Sequence, residues 1–200
     1  MNGYRLLSLL LQYPDEELLA GGAELEQALA ELPENEVRAG IASFLASCDG
    51  VALGELQAGY VATFDFDRRA SLHLTYHTHG DRRQRGIELV RLKRRFAAAD
   101  LALADGELPD YLPALLEFAA LAPEGQGVAL LAEHRAALEL IRSRLHEGGS
   151  RYAPLLDALA ATLPALTRAQ AERVRRLAEE GPPRELVGLE PAAIVPEDAA

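Results

Sequence analysis

The amino-acid sequence predicts an all-α fold, a single-domain helical bundle of about eight or nine helices. Ala and Leu dominate the 200-residue chain, 49% of its residues are hydrophobic, only 6% are aromatic, and it contains no Trp. Residues that favour helices are therefore plentiful, and those that favour sheets are scarce. Apolar residues also recur at helical spacing along most of the chain. We expect one domain at residues 1–181 and a flexible, acidic, Pro-containing tail at residues 182–200.

Four helical stretches are predicted in the first third of the chain. The first is a leucine stripe that ends at Pro14, and the second is interrupted at Gly21-Gly22. The third opens with Pro33, and the fourth reaches Phe66. In each stretch the apolar residues recur every three or four positions, which is the spacing of a buried helix face.

The middle of the chain changes pattern before a long helix. Residues 71–79 alternate apolar and polar side chains over a short run, and we expect an extended loop or an irregular turn because no partner strand is evident. Asp81 is predicted to cap a helix that reaches about Ala99. Its expected buried stripe consists of Ile87, Leu89, Val90, Leu92 and Phe96.

The remaining helices follow a proline-rich turn. Pro109 and Pro113 do not both fit inside one helix, so we expect a turn at Leu108–Tyr111 and a helix with Pro113 in its first turn. Three more helices are then predicted: one that contains Val128 to Leu145 and ends at Gly148-Gly149, one capped by Ser150, and one that runs from a Thr167–Gln170 capping box to Gly181.

Charge is strongly segregated within a net charge of −11. Residues 1–67 hold two basic and twelve acidic side chains, whereas residues 68–95 hold nine basic and two acidic ones. The acidic surface disfavours nucleic acid and anionic membranes and favours basic partners. The basic stretch is expected to pair with acidic neighbours or to form a solvated helix face.

Cysteine content and hydropathy predict a cytoplasmic protein. Cys48 is the one cysteine of the sequence, so an intramolecular disulfide cannot form, and we expect it to be a small buried residue. The apolar run near the N-terminus is too short to span a bilayer and lacks a signal-peptide cleavage site. No later segment reaches eighteen apolar residues, so no membrane insertion is expected.

Two clusters of reactive side chains raise the question of catalysis. His73, His77, His79 and Asp81 are candidate metal ligands, but their spacing matches no metal-binding motif, so no metal ligand is predicted. Asp65 is separated from Asp67 by one residue, and this pair is open to three interpretations. It is an acid–base pair, a pair neutralised by Arg neighbours, or the rim of a groove for a basic ligand. Phosphate-binding loops and nucleophile elbows are absent from the sequence, which favours a binding or chaperone module over an enzyme.

Three segments resemble one known family. They are LLSLLLQYPDEEL at Leu6–Leu18, YVATFDFDRRASLHLTYHTHGDRRQRG at Tyr60–Gly86 and ELPDYLPALLEF at Glu107–Phe118. We call the second and third the first and second signature segments. Together they resemble the NarJ-type nitrate reductase assembly chaperones, which belong to the TorD-like family of molybdoenzyme-specific chaperones. The resemblance covers about residues 4–180 in order.

The resemblance implies a TorD-like fold and a non-enzymatic role without a cofactor of its own. Such chaperones bind the apo form of the catalytic α subunit of respiratory nitrate reductase in the cytoplasm, partly through its N-terminal segment. They keep it competent for molybdenum cofactor insertion before it docks on the membrane subunit. Cofactor delivery proteins are possible further partners. The alternatives are a chaperone for a dimethyl sulfoxide or trimethylamine oxide reductase and, from the histidine cluster, a metal-dependent helical hydrolase.

The resemblance also assigns candidate site residues. Those expected to bind the client peptide are Asp65, Asp67, His77, Glu107, Pro109, Asp110 and Tyr111. A client helix with an apolar face and basic edges would lie in a groove, where the four acids would meet its charges at the rim. Tyr111 and Phe64 are candidate anchors, although Phe64 is equally suited to the core. Arg82, Arg83 and Arg85 are candidate contacts for an anion, such as the cofactor phosphate, or for a delivery protein.

Overall fold

The computed structural model describes residues 2–181, and within that range the fold is all-α, as predicted. Twelve α-helices and a π-helical segment at Val61–Asp65 follow one another, and no strand is formed in this part of the chain. The helices are α1 Gly3–Leu10, α2 Glu16–Ala20, α3 Gly22–Ala30, α4 Glu36–Cys48, α5 Leu53–Tyr60, α6 Leu74–His79, α7 Arg83–Ala98, α8 Leu112–Leu121, α9 Gln126–Glu133, α10 Arg135–Glu147, α11 Ala153–Ala161 and α12 Arg168–Glu180. The predicted tail at 182–200 lies outside the described residues.

Local signals set several helix boundaries, and three of the four described here lie where the sequence predicts them. The Asp15 side chain caps α2 by accepting a hydrogen bond from the backbone N–H of Leu18. The chain breaks at Gly21, and α8 carries Pro113 in its first turn. Thr167 and Gln170 form the predicted capping box of α12. Each signal acts within one turn of a helix, which is why a sequence reports it reliably.

Other boundaries differ from the prediction, and the differences raise the helix count. Pro33 does not open α4; Asn35 does, because its side chain accepts hydrogen bonds from two backbone N–H groups. Asp81 does not cap α7, which begins at Arg83 without a side-chain cap. The helix predicted over Val128 to Leu145 is two helices, α9 and α10, separated at His134. Ser150 precedes α11 by a turn, since Tyr152 holds the N-cap position.

Residues 71–79 combine a short extended stretch with a helix. His73 forms an isolated antiparallel bridge with Tyr111. Leu74–His79 is α6, so the prediction of a loop or irregular turn is wrong for those residues. The alternation of apolar and polar side chains misled the prediction because α6 has a buried face of its own, with Leu74, Thr75 and His77 inside.

The core lies where the long helices cross. α1 packs on α8, α4 packs on α11, and α10 packs on both α11 and α12. Leucine side chains from these helices are almost completely buried, among them Leu6, Leu115 and Leu155. α4 approaches α11 closely at Gly40, where a Cβ atom would lie 2.4 Å from the carbonyl oxygen of Pro154. Backbone contact of this kind requires glycine.

α7 is attached to this core by only part of its predicted stripe. Leu92 and Phe96 are buried, but 63% of Ile87 and 52% of Val90 are exposed. The prediction of a broad buried stripe is therefore wrong for the first half of the helix. Cys48 is half-buried rather than buried. Within residues 2–181 no helix is both long and apolar enough to cross a bilayer.

Candidate functional site

The two signature segments are joined at one point of the fold. The backbone N–H of Leu112 donates to the carbonyl oxygen of Leu72 at 2.9 Å, and that of Leu74 donates to the carbonyl oxygen of Asp110 at 2.9 Å. These two bonds form the bridge between His73 and Tyr111. Residues that are 38 apart in sequence thereby become neighbours, and the turn before α8 is fixed against the start of α6.

A buried carboxylate reinforces this junction. The side chain of Asp110 is fully buried and accepts hydrogen bonds from His73 Nδ1 at 3.1 Å and from the Thr75 hydroxyl. Arg85 Nη2 donates to the same carboxylate at 3.3 Å. Burial raises the pKa of Asp110, but these donors and the positive charge of Arg85 outweigh it and bring the pKa below its ordinary value. Asp110 therefore stays ionised and ties α6, α7 and the second signature segment together.

Three of the seven predicted client-binding residues are buried in the fold. They are His77, Pro109 and Asp110. His77 Nε2 donates to the carbonyl oxygen of Ser71 at 2.8 Å, and burial lowers the pKa of the imidazole. A neutral, buried imidazole fits a structural role at this position.

Tyr111 stands at the surface end of a cluster of aromatic rings. Its hydroxyl lies 3.0 Å from that of Tyr60, which donates to the carbonyl oxygen of Leu11. Burial raises the pKa of both phenols. The Tyr60 ring also packs against Tyr13 and Tyr152. Tyr111 itself is half-buried, and its ring packs against that of His73.

The charges of two exposed carboxylates act on Tyr111. Burial is the main cause of the raised pKa of Tyr111, and the negative charges of Glu107 and Asp65 add to it. We call Asp65, Glu107 and Tyr111 the Tyr111 rim. Asp67 is not part of this rim, because its carboxylate pairs with Arg144 of α10. Of the four acids predicted at the rim, only Asp65 and Glu107 have no ion pair within residues 2–181, since Asp110 is also paired.

Phe66 is an exposed aromatic residue that the sequence analysis did not select. The π-helical segment ends beside it, and 83% of Phe66 is exposed, whereas the predicted anchor Phe64 is only 5% exposed and packs on Tyr152. Phe64 therefore belongs to the core. In the α-helix that the sequence predicts here, residues two apart are separated by about 200° of rotation, so only one of the two rings can face inward. The spacing of the two phenylalanines was therefore the signal that could have identified Phe66 as exposed.

An apolar groove opens next to the aromatic cluster. Its volume is about 590 Å³, and it is lined by residues of the segments α1 to α5 and by Tyr152. The apolar lining includes Leu18, Leu19, Leu25, Leu29, Leu45, Val51 and Leu56. Glu26 and Asp49 also line it, within the acidic first third of the chain. We call this feature the acidic groove. Sequence reasoning missed it because its walls come from five separate segments.

The three candidate anion-binding arginines have different surroundings in the fold. Arg85 is committed to Asp110, whereas Arg82 and Arg83 are exposed. The histidine cluster is divided as well, since His73 contacts Asp110 and His77 contacts Ser71. No group of three or more His, Cys, Asp or Glu side chains that would suit a metal ion is found among residues 2–181.

Comparisons with known proteins agree on one protein family. The family model described as nitrate reductase delta subunit matches residues 23–158. The "Probable nitrate reductase molybdenum cofactor assembly chaperone NarJ" of Bacillus subtilis is 34% identical over 160 residues, which are 80% of this chain and 87% of that protein. The Escherichia coli K12 "Nitrate reductase molybdenum cofactor assembly chaperone NarJ" is 36% identical over 157 residues, which are 77% of this chain and 66% of that protein.

A further relative is much longer than this chain. The "Nitrate reductase-like protein NarX" of Mycobacterium tuberculosis is 35% identical over 159 residues, which are 80% of this chain but 24% of that protein. The region that the family model matches, residues 23–158, includes both signature segments.

Proposed function

This chain belongs to the nitrate reductase delta subunit family, and from that premise we propose that it binds the apo catalytic α subunit of a respiratory nitrate reductase in the cytoplasm. Its relatives are named as assembly chaperones rather than as catalysts, and the chain is a chaperone and not an enzyme. We propose that it recognises the N-terminal segment of the α subunit and keeps the subunit competent for molybdenum cofactor insertion before membrane docking.

The acidic groove is the observation that carries this proposal. An amphipathic helix buries its apolar face in a hydrophobic groove, and basic residues at its edges need acidic partners. The groove offers an apolar lining of leucines with Glu26 and Asp49 beside it. Tyr152, which lines the groove, packs against Tyr60, and the Tyr60 hydroxyl lies 3.0 Å from that of Tyr111. Buried aromatic residues therefore connect the groove with the Tyr111 rim. The basic residues of a client helix would extend from the groove towards Asp65 and Glu107.

Different parts of this site supply affinity and selectivity. Leu19, which is 43% exposed, and Phe66 are accessible apolar anchors, and burial of such side chains provides most of the binding free energy. The carboxylates at the rim raise the association rate and select for basic segments. Asp110 and His77 act indirectly, by holding the loop that presents Tyr111.

The test is a calorimetric titration of the full chain with a peptide from the N-terminus of the nitrate reductase α subunit. We expect micromolar or tighter binding that weakens with salt and is lost with a scrambled peptide. Leu19→Asp should weaken it by about tenfold or more, because it puts a charge on the apolar wall. Leu121→Asp, at an exposed leucine of α8 that does not line the groove, is the matched control.

The electrostatic part is tested separately. The double variant Asp65→Asn/Glu107→Gln should reduce both the affinity and its salt dependence. Glu179→Gln/Glu180→Gln, with the same charge change on exposed residues of α12, should not. Equal losses of affinity in the two double variants would refute a specific role of the Tyr111 rim in binding. Binding of the leader of a dimethyl sulfoxide or trimethylamine oxide reductase instead would keep the family and change the client.

Contact with the cofactor or with a delivery protein is a separate proposal. Arginine forks suit phosphate, and Arg82 and Arg83 remain exposed, whereas Arg85 is held by Asp110. Reversal of the charges at Arg82 and Arg83 should lower the yield of molybdenum cofactor loading into the client. An unchanged yield would remove this proposal without affecting recognition of the client peptide.

A further inference from the structure

The outer side of α7 is an apolar strip edged with arginines. Ile87 and Val90, at 63% and 52% exposure, are the apolar residues of this strip. They lie in a shallow groove of about 800 Å³ that is also lined by Arg83, Arg91, Arg94 and Arg95. We call these six residues the α7 outer face. It contrasts with the acidic groove, because the charge here is positive.

Helix geometry separates this face from the core. Steps of 100° per residue bring Arg83, Ile87, Val90 and Arg94 within about 60° of one another on the helix surface. Leu92 and Phe96, which attach α7 to the core, lie on the opposite side. The exposed apolar residues are therefore not the edge of the core. They form a second apolar face on a helix that has already buried its first.

Two of the arginines are held in place. Arg95 Nη2 donates to Glu133 Oε1 at 2.7 Å, and Arg91 Nη2 donates to Glu133 Oε2 at 3.2 Å. This shared carboxylate on α9 fixes one edge of the strip. Arg83 and Arg94 have no carboxylate partner among residues 2–181. The strip thus combines a preorganised edge with two guanidinium groups that have no carboxylate partner in the described range and that flank Ile87 and Val90 along the helix.

We propose that the α7 outer face is a second docking surface, which binds a partner protein through an acidic amphipathic helix. Such a helix would place apolar side chains against Ile87 and Val90, and its carboxylates would pair bidentately with Arg83 and Arg94. The sixteen residues of α7 present a strip about 24 Å long, which a helix of similar length covers. This inference goes beyond the proposed function, since the partner has the opposite charge to the client segment of the acidic groove.

Charge disfavours the other occupants. A basic client segment would be repelled by the arginines. Two copies of the chain that met through this face would oppose arginine to arginine around a two-fold axis. An anionic membrane or a nucleic acid would attract the strip locally but repel a molecule with a net charge of −11. An acidic helical segment is the occupant that satisfies both the apolar and the charged residues.

The experiment uses a labelled 16-residue peptide with leucines on one helical face and glutamates at its edges. Its binding to the full chain is measured by fluorescence anisotropy, with a scrambled peptide of the same composition as reference. We expect selective binding of the amphipathic peptide that weakens with salt. Ile87→Asp should reduce the affinity by about tenfold or more, because two half-exposed side chains supply most of the apolar contact.

Charge-reversal variants make the test specific. Arg83→Glu/Arg94→Glu should abolish peptide binding, whereas Arg173→Glu/Arg176→Glu on exposed positions of α12 should leave it unchanged. Equal losses in both pairs, or equal binding of the scrambled peptide, would overturn the proposal. So would displacement of the acidic peptide by the α-subunit peptide, since the two faces are separate.

A membrane role is the last alternative to be tested. Cosedimentation of the full chain with phosphatidylglycerol vesicles, if it were lost in Arg83→Glu/Arg94→Glu, would overturn the protein partner in favour of a membrane. Failure of the α-subunit peptide to bind would refute the proposed function alone, because the acidic peptide reports on a different face.

Discussion

Replacement of Asp110 by asparagine tests the junction of the two signature segments. The carboxylate is fully buried, accepts hydrogen bonds from His73 and Thr75, and pairs with Arg85 at 3.3 Å. Asparagine preserves the shape of the side chain but removes its charge. Its amide also turns one acceptor oxygen into a donor, which then faces donors of Thr75 or Arg85.

The expected magnitude follows from the burial of the pair. Removal of one partner of a buried ion pair destabilises a protein by about 3–5 kcal/mol. The side chain of Arg85 is 21% exposed and can recover some hydration, so we expect Asp110→Asn to lower the free energy of unfolding by about 2–4 kcal/mol. In a domain of this size, that corresponds to a decrease in Tm of roughly 5–12 °C.

Urea unfolding followed by circular dichroism at 222 nm measures this change. The matched control is Asp105→Asn, at an exposed position a few residues before Asp110, which should change stability by less than about 0.5 kcal/mol. A loss below about 1 kcal/mol in Asp110→Asn, or equal losses in the two variants, would refute the role of the buried carboxylate.

The same variant has a defined pH dependence. The folded pKa of Asp110 lies below 3.8, its value in the unfolded chain. The stabilisation by this charge is therefore present above the unfolded value and is lost as the pH falls through the folded pKa. The difference in stability between the wild type and Asp110→Asn should shrink over that acidic range and stay constant at neutral pH.

Three further predictions address the packing, a buried histidine and the exposed anchor. Gly40→Ala should destabilise the fold by about 1–3 kcal/mol in chemical denaturation, because the added Cβ would overlap the backbone of Pro154. Gly54→Ala is the control and should not destabilise the fold, because a Cβ at that position would meet no atom within 4 Å. The free energy of unfolding of the wild type should fall between pH 7.5 and 5.5, because the pKa of His77 is lowered in the folded state and the unfolded chain therefore binds the proton more strongly. His77→Gln should show a smaller decrease in the same titration. Phe66→Ala should keep the Tm within about 2 °C but bind the α-subunit peptide several-fold more weakly in calorimetry, and a parallel loss of Tm would contradict its role as a surface anchor.

Prediction from the sequence succeeded where the cause of a structure is local. Pro113 in the first turn of α8 and the capping box at Thr167 involve atoms within one helical turn. The break at Gly21 is of the same kind. Prediction from the sequence failed at His134 and at residues 74–79, where the packing of neighbouring helices determines whether a helix ends or forms. No local signal marks those positions.

The candidate site was predicted only in part, for the same reason. The signature segments identified Tyr111, Asp65 and Glu107, and the fold leaves both carboxylates exposed and Tyr111 half-buried. They gave no indication that Asp67 pairs with Arg144, a residue 77 positions away. Pairing at that separation depends on how α10 packs beside the π-helical segment, and the spacing of charges along a chain carries no such information.

The sequence by itself determined the helical class, the family and the segregation of charge, because composition, periodicity and motifs are properties of the chain alone. Only the tertiary structure decided which charged and apolar residues remain available to a partner. Asp110 and Arg85 neutralise each other inside, whereas Ile87 and Val90 stay outside on the far side of a helix that is already anchored. Burial and pairing are relations between distant segments, and they exist only once those segments have packed.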